Sequence, residues 1–194
     1  MDIDKIDKLI NIIVGNSAVA SDVVEAAMQE IMKITDEQLP MLIRPKVCYS
    51  EATAVVLTRI GYPRIKDIIP DLLRWLQDIN WPGAYEIAKL LASIGKPVVP
   101  YIKDILRGTD DTWQLWVIKY VIDEWPKEFV VEIQSELEYL TRIINLSEGI
   151  DVESLKVLAI HGLIERKRIS SFCHATKFQL SQHVQRLEEL EKYC

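Results

Sequence analysis

Two stretches decide the fold: IGYPRIKDIIPDLLRWLQDINW at residues 60–81 and IGKPVVPYIKDILRGTDDTW at residues 94–113. Ile60-Gly61-Tyr62-Pro63 returns thirty-four residues later as Ile94-Gly95-Lys96-Pro97. Leu39-Pro40, Ile69-Pro70 and Val99-Pro100 fall at a spacing of thirty. Each proline precedes apolar residues at helical spacing: Leu42 and Ile43, Leu72 and Leu73, Ile102 and Ile105. Asp78-Ile79-Asn80-Trp81 matches Gly108-Thr109-Asp110-Asp111-Thr112-Trp113 in place and kind. Both read as short polar turns with a tryptophan at the start of a second helix. A period of 20–50 residues with two helices per period is the mark of an α-solenoid. The alternative is a helical bundle whose prolines recur by coincidence. The joint return of stop, proline and turn favours the solenoid.

Outward from this core the apolar spacing stays helical. Ile3, Ile6, Leu9, Ile10 and Ile13 share one face. Ser21-Asp22 opens a helix through Met32, and Ser50-Glu51 opens another that stops at Gly61. Further helices are predicted over 66–79, 82–95, 98–107, 111–124, 127–146, 151–167 and 176–192, about ten in all. The expected fold is all-α: stacked antiparallel helix pairs of the HEAT or armadillo type. One continuous solenoid would comprise N-terminal repeats over 1–62, a HEAT-like domain over 63–167 and a capping helix within 168–194. The cap would bury Leu180, Val184 and Leu187. The helix from Thr112 to Glu124 is apolar nearly all round and is expected to be buried on several sides.

The 194 residues suffice for one domain or slightly more, and no disulfide or metal is needed to stabilise it. Apolar residues make up 49% and charged residues 27%, which excludes wholesale disorder. No apolar run approaches the ~18 residues of a membrane span, and the first residues form no secretory signal. Acids outnumber bases, 29 against 23, which counts against non-specific nucleic-acid binding. Three scattered cysteines (Cys48, Cys173, Cys194) suit a reducing cytoplasm.

Leu72-Leu73-Arg74-Trp75-Leu76-Gln77-Asp78-Ile79-Asn80-Trp81-Pro82-Gly83-Ala84 resembles a family known as a domain of unknown function, number 5071. So do Val98-Val99-Pro100-Tyr101-Ile102, Asp110-Asp111-Thr112-Trp113, Trp125-Pro126 and Gly149-Ile150-Asp151. The resemblance covers about residues 63–166. It implies a HEAT-like superhelix and transfers no catalytic residues.

If neighbouring repeats stack, their turns lie side by side, and Asp78, Asn80, Trp81, Asp110, Asp111 and Trp113 form one acidic and aromatic rim. That rim could grip a protein with a basic patch. Equally, the acids could cap helices and the tryptophans fill core. His161, Cys173, His174 and His183 lack the short fixed steps of a zinc site, so no metal or organic cofactor is expected. Arg166-Lys167-Arg168 reads as a solvated helix end favoured by the helix dipole. Glycine-rich phosphate loops and hydrolase motifs are absent. The leading expectation is therefore a non-catalytic protein-binding module, such as an inhibitor of a basic toxin. The alternatives are a HEAT-like enzyme acting on nucleic-acid bases and a self-assembling structural module.

Overall fold

The computed structural model describes residues 1–15, 19–45, 47–142, 144–191 and 193, and Cys194 lies outside them. Among the described residues there are α-helices and short 3₁₀ helices and no strand.

The helices are α1 (Ile3–Val14), α2 (Ser21–Ile31), α3 (Glu51–Ile60), α4 (Ile69–Arg74), α5 (Ala84–Ile94) and α6 (Val99–Leu106). They continue with α7 (Asp111–Tyr120), α8 (Lys127–Glu132), α9 (Gln134–Leu140), α10 (Ile150–Ile160) and α11 (Arg166–Glu191).

Local chemistry accounts for most boundaries. The Ser50 hydroxyl caps α3 by accepting from Thr53 N–H at 3.2 Å. Pro70 and Pro100 occupy the first turns of α4 and α6, where a missing N–H costs nothing. Gly61 and Gly95 end α3 and α5 at positive φ, +65° and +70°. At Gly95 a Cβ would also meet the Phe129 ring at 2.6 Å. The thirty-residue register thus has a physical basis at Pro70 and Pro100. Pro40 differs, because it lies inside a 3₁₀ helix over Asp36–Ile43.

Several predicted helices are broken. The segment expected over 66–79 is 3₁₀ at Arg64–Ile68, α at Ile69–Arg74 and 3₁₀ at Trp75–Gln77. Pro82 does not start α5. It precedes Gly83, whose φ of +83° delays the helix to Ala84. The segment expected over 127–146 divides into α8 and α9 at Ile133.

Packing follows chain order. α3 lies on α5, α5 on α7, and α7 on α10, which makes one row. In addition α4 packs on α5, α6 on α7 and on α9, and α9 on α10. These contacts bury one core, with Leu72, Leu76, Ile87, Leu91, Ile102, Val117, Ile118, Leu137 and Leu158 all buried. Three indoles tie segments together through Nε1: Trp75 donates to Pro82 O (3.0 Å), Trp113 to Leu73 O (2.9 Å) and Trp125 to Ala92 O (3.2 Å).

The C-terminal expectation needs correcting. α11 starts ten residues before the predicted cap, so Arg166, Lys167 and Arg168 open a helix instead of closing one. Cations there oppose the macrodipole. Leu180, Val184 and Leu187 are exposed, not buried against the body. The accessible surface, 11305 Å², exceeds the roughly 9,400 Å² of a compact monomer of this mass. The projecting α11 contributes to that excess.

Candidate functional site

The segment just before the first turn meets the start of α7, whereas Trp81 packs on Tyr49 instead. The 3₁₀ segment Trp75–Gln77 packs against α7. Between them runs a cleft of about 430 Å³ lined by Gln77, Asp104, Ile105, Gly108, Thr109, Asp110 and Trp113. The Trp113–Leu73 hydrogen bond holds α7 to α4.

The predicted residues divide by role. Asp110 caps α7, its carboxylate accepting from Trp113 N–H at 2.9 Å. Asp111 cannot be the same cap, and its Oδ2 instead accepts from Asn145 Nδ2 at 2.7 Å. Asp78 accepts from both the main-chain N–H (2.9 Å) and the side-chain amide (3.0 Å) of Asn80. Asn80 is exposed and caps no helix, since Gly83 holds that position in α5. Trp81 and Trp113 are half-buried. The Trp81 ring lies 4.1 Å from that of Tyr49, against the start of α3.

The charge of this edge is one-sided. Among the described residues, no lysine or arginine forms an ion pair with Asp78, Asp104, Asp110 or Asp111. The nearby Arg107 is engaged by Glu136 at 2.5 Å. Burial pushes the Glu136 carboxyl up. Hydrogen bonds from Ser135, its own N–H and Arg107 outweigh that, so it titrates below its ordinary value. A second cleft of about 260 Å³ lies on the far side of Asp111, with Gln114, Tyr139, Asn145 and Ile150 in its walls.

Sequence reasoning missed a second surface. α7 was expected to be buried on several sides, yet Trp116, Lys119 and Tyr120 are only half-buried. Tyr120 meets Tyr85 of α5 edge to face, with ring centres 5.1 Å apart. With Lys89, Ser93 and Glu124 they line a groove of about 480 Å³. The sequence holds only half of the signal on each helix, since Tyr85 and Lys89 sit four apart on α5 and Trp116 and Tyr120 four apart on α7.

Cys173, His174 and His183 all lie exposed on α11, and His161 ends α10. Among the described residues no three His, Cys, Asp or Glu side chains are placed to hold a metal ion. Nor is any helix among them long and apolar enough to cross a membrane.

A family model described as Domain of unknown function (DUF5071) matches residues 45–157. The match begins before α3, earlier than the resemblance at 63. The packing of α3 on α5 makes α3 part of the same unit. No curated protein matches the chain.

Proposed function

The chain belongs to the DUF5071 family, and we propose that it is a non-catalytic, protein-binding stack of HEAT-type helix pairs. Its partner carries a basic patch. The observation that carries this reading is the cleft between Gln77, α6 and the start of α7, where Asp104 and Asp110 flank the half-buried Trp113 without a cationic partner among the described residues. Carboxylates around an aromatic floor suit a lysine or arginine side chain, whose alkyl stem covers the indole while its head meets the acids. The equivalent placement of Pro70 with Pro100 and Gly61 with Gly95 supports the repeat reading. So does the ordered contact of successive helices. Among the described residues Cys48 and Cys173 are unpaired thiols, which suits a reducing cytoplasm. Inhibition of a basic protein is the role that fits the small acidic form.

The test is comparative capture from native cells on immobilised wild type and on the triple variant Asp78→Asn, Asp104→Asn, Asp110→Asn. Asparagine keeps the α7 cap, since it caps about as well as aspartate. A partner held by wild type should be lost from the variant, with binding that weakens as salt rises. Equal capture at low salt by a variant of unchanged melting temperature overturns the rim as the contact surface.

A further inference from the structure

Among the described residues three buried side-chain atoms have no hydrogen-bond partner: Gln114 Oε1, Asp151 Oδ1 and Ser154 Oγ. They belong to α7 and α10, which pack on one another. Buried polar atoms are ordinarily paired, and an orphan costs more than a hydrogen bond contributes. Two of the three atoms only accept. What this region lacks is donors.

Gln114 is 1% exposed and lines the smaller cleft, of about 260 Å³, beside Asp111 and Asn145. Its Nε2 donates to Ile105 O (3.2 Å), Leu106 O (3.2 Å) and Gly108 O (3.0 Å) at the end of α6. Three carbonyls fix the amide, so its nitrogen faces α6 and its oxygen is turned away from it. Asp111 gives Oδ2 to the Asn145 amide and forms no ion pair among the described residues. Behind Asn145 stands Asp151, fully buried, which accepts the Asn145 main-chain N–H at 3.0 Å and has no ion pair among them either. No lysine or arginine lines the cleft. Its outer wall is Tyr139, whose ring already carries one guanidinium, with Arg142 Cζ 5.9 Å from the ring centre.

A group that brings several N–H donors in one plane, a positive charge and a flat face for an aromatic ring is a guanidinium. The cleft is smaller than the about 300–1,000 Å³ of small-molecule sites and suits a single side chain. It also shares Gly108 and Thr109 with the larger cleft of Asp104, Asp110 and Trp113. One segment of a partner can therefore reach both.

We propose that the cleft between Asp111, Gln114 and Tyr139 takes the guanidinium of an arginine side chain, from the same basic segment that lies on the rim. The edge of the guanidinium meets the Asp111 carboxylate and the Gln114 carbonyl, and its face lies on Tyr139. This rests on the reading of the rim as a protein-binding edge. It adds that the partner presents two cationic side chains, the second of them arginine.

An NMR titration of the full chain with Nα-acetyl-arginine amide, at constant ionic strength, tests this. The lysine and citrulline counterparts serve as comparisons. The arginine probe should shift the side-chain amide signals of Gln114 and Asn145 saturably. It should bind at least about fivefold more tightly than lysine, which lacks the planar fork. Citrulline, the neutral isostere, should bind at least about tenfold more weakly than arginine. Asp111→Asn keeps an acceptor for Asn145 and removes the charge, so it should weaken arginine binding about tenfold at nearly unchanged melting temperature. Arg142→Ala should leave binding equal or tighter, because Arg142 competes for the Tyr139 ring. The Gln114 response should persist in the Asp78, Asp104, Asp110 triple variant, which leaves this cleft intact. Unmoved Gln114 and Asn145 signals, equal binding of citrulline, or wild-type affinity in Asp111→Asn overturns the proposal. The rim reading falls separately, by unchanged partner capture on the triple variant.

Discussion

The side-chain amide of Asn145 reaches across thirty-four residues to donate to Asp111 Oδ2 at 2.7 Å. It ties the loop before α10 to the first turn of α7. Asn145 also organises its own loop, accepting through Oδ1 from Ser147 N–H (3.2 Å) and Glu148 N–H (2.8 Å). Its main-chain N–H donates to the fully buried Asp151 at 3.0 Å. One residue therefore joins two acids that sequence alone leaves unrelated.

Asp111→Ala should cost about 1 kcal/mol by removing that tie, and Asp110→Ala should cost about 1 kcal/mol by removing the α7 cap. Each corresponds to roughly 2–4 °C in melting temperature for a chain of this size. Asp110→Asn should be close to neutral. Thermal unfolding followed by circular dichroism separates the three. An Asp110→Ala variant with no loss would show that α7 does not need its carboxylate cap.

The tryptophans should rank by burial. Trp75, at 1% exposure, is core, and Trp75→Ala should cost about 3–5 kcal/mol. Trp113→Phe keeps most of the contact and loses the hydrogen bond to Leu73 O, about 0.5–1.5 kcal/mol. Urea midpoints provide the comparison, and a larger loss at Trp113 than at Trp75 would contradict the packing described.

Gly83 sits at φ +83°, and a Cβ there would meet Ala54 Cβ at 2.5 Å and Ser50 O at 3.0 Å. Gly83→Ala should therefore destabilise by about 2–4 kcal/mol, from the left-handed backbone and the collision together. Adding Ala54→Gly relieves the collision and leaves the backbone penalty, so rescue should be partial. Full rescue would mean that φ at this site is free to change.

Two carboxylates should reveal themselves on acidification. Lys33 and Lys5 hydrogen-bond Glu30 and hold it down to about 2. Replacing both lysines with alanine should return its titration towards 4.5, as followed by carboxyl NMR shifts. Glu136 also titrates below its ordinary value of 4.5. A depressed folded pKa contributes stability that is present above the unfolded value and is lost as pH falls through the folded one. Glu136→Gln should thus flatten the dependence of melting temperature on pH below about 4.5, with little change of slope at neutral pH. An unchanged acid slope would show that Arg107 and Ser135 do not favour the ionised form.

The helices themselves were legible in the sequence, because what makes them is local. Ser50 caps, Pro70 and Pro100 set a first turn, Gly61 and Gly95 permit a positive φ, and apolar residues recur at helical steps. The family was legible too, in the run from Leu72 to Ala84. Of the six rim residues, sequence could place them in two equivalent turns but could not give each its task. Asp110 and Asp111 are adjacent and chemically identical. Only the position of Asn145, brought back by the packing of α10 on α7, makes one a cap and the other a cross-link. The same limit hid the Tyr85–Tyr120 contact, which joins two helices thirty-five residues apart in the chain. It also misled the reading of α11. Its apolar line is a local property and was read correctly, but whether the line is covered depends on where the body ends. That is decided by the summed lengths and angles of the helices before it, and in the folded chain α11 continues past the surface that would have covered it.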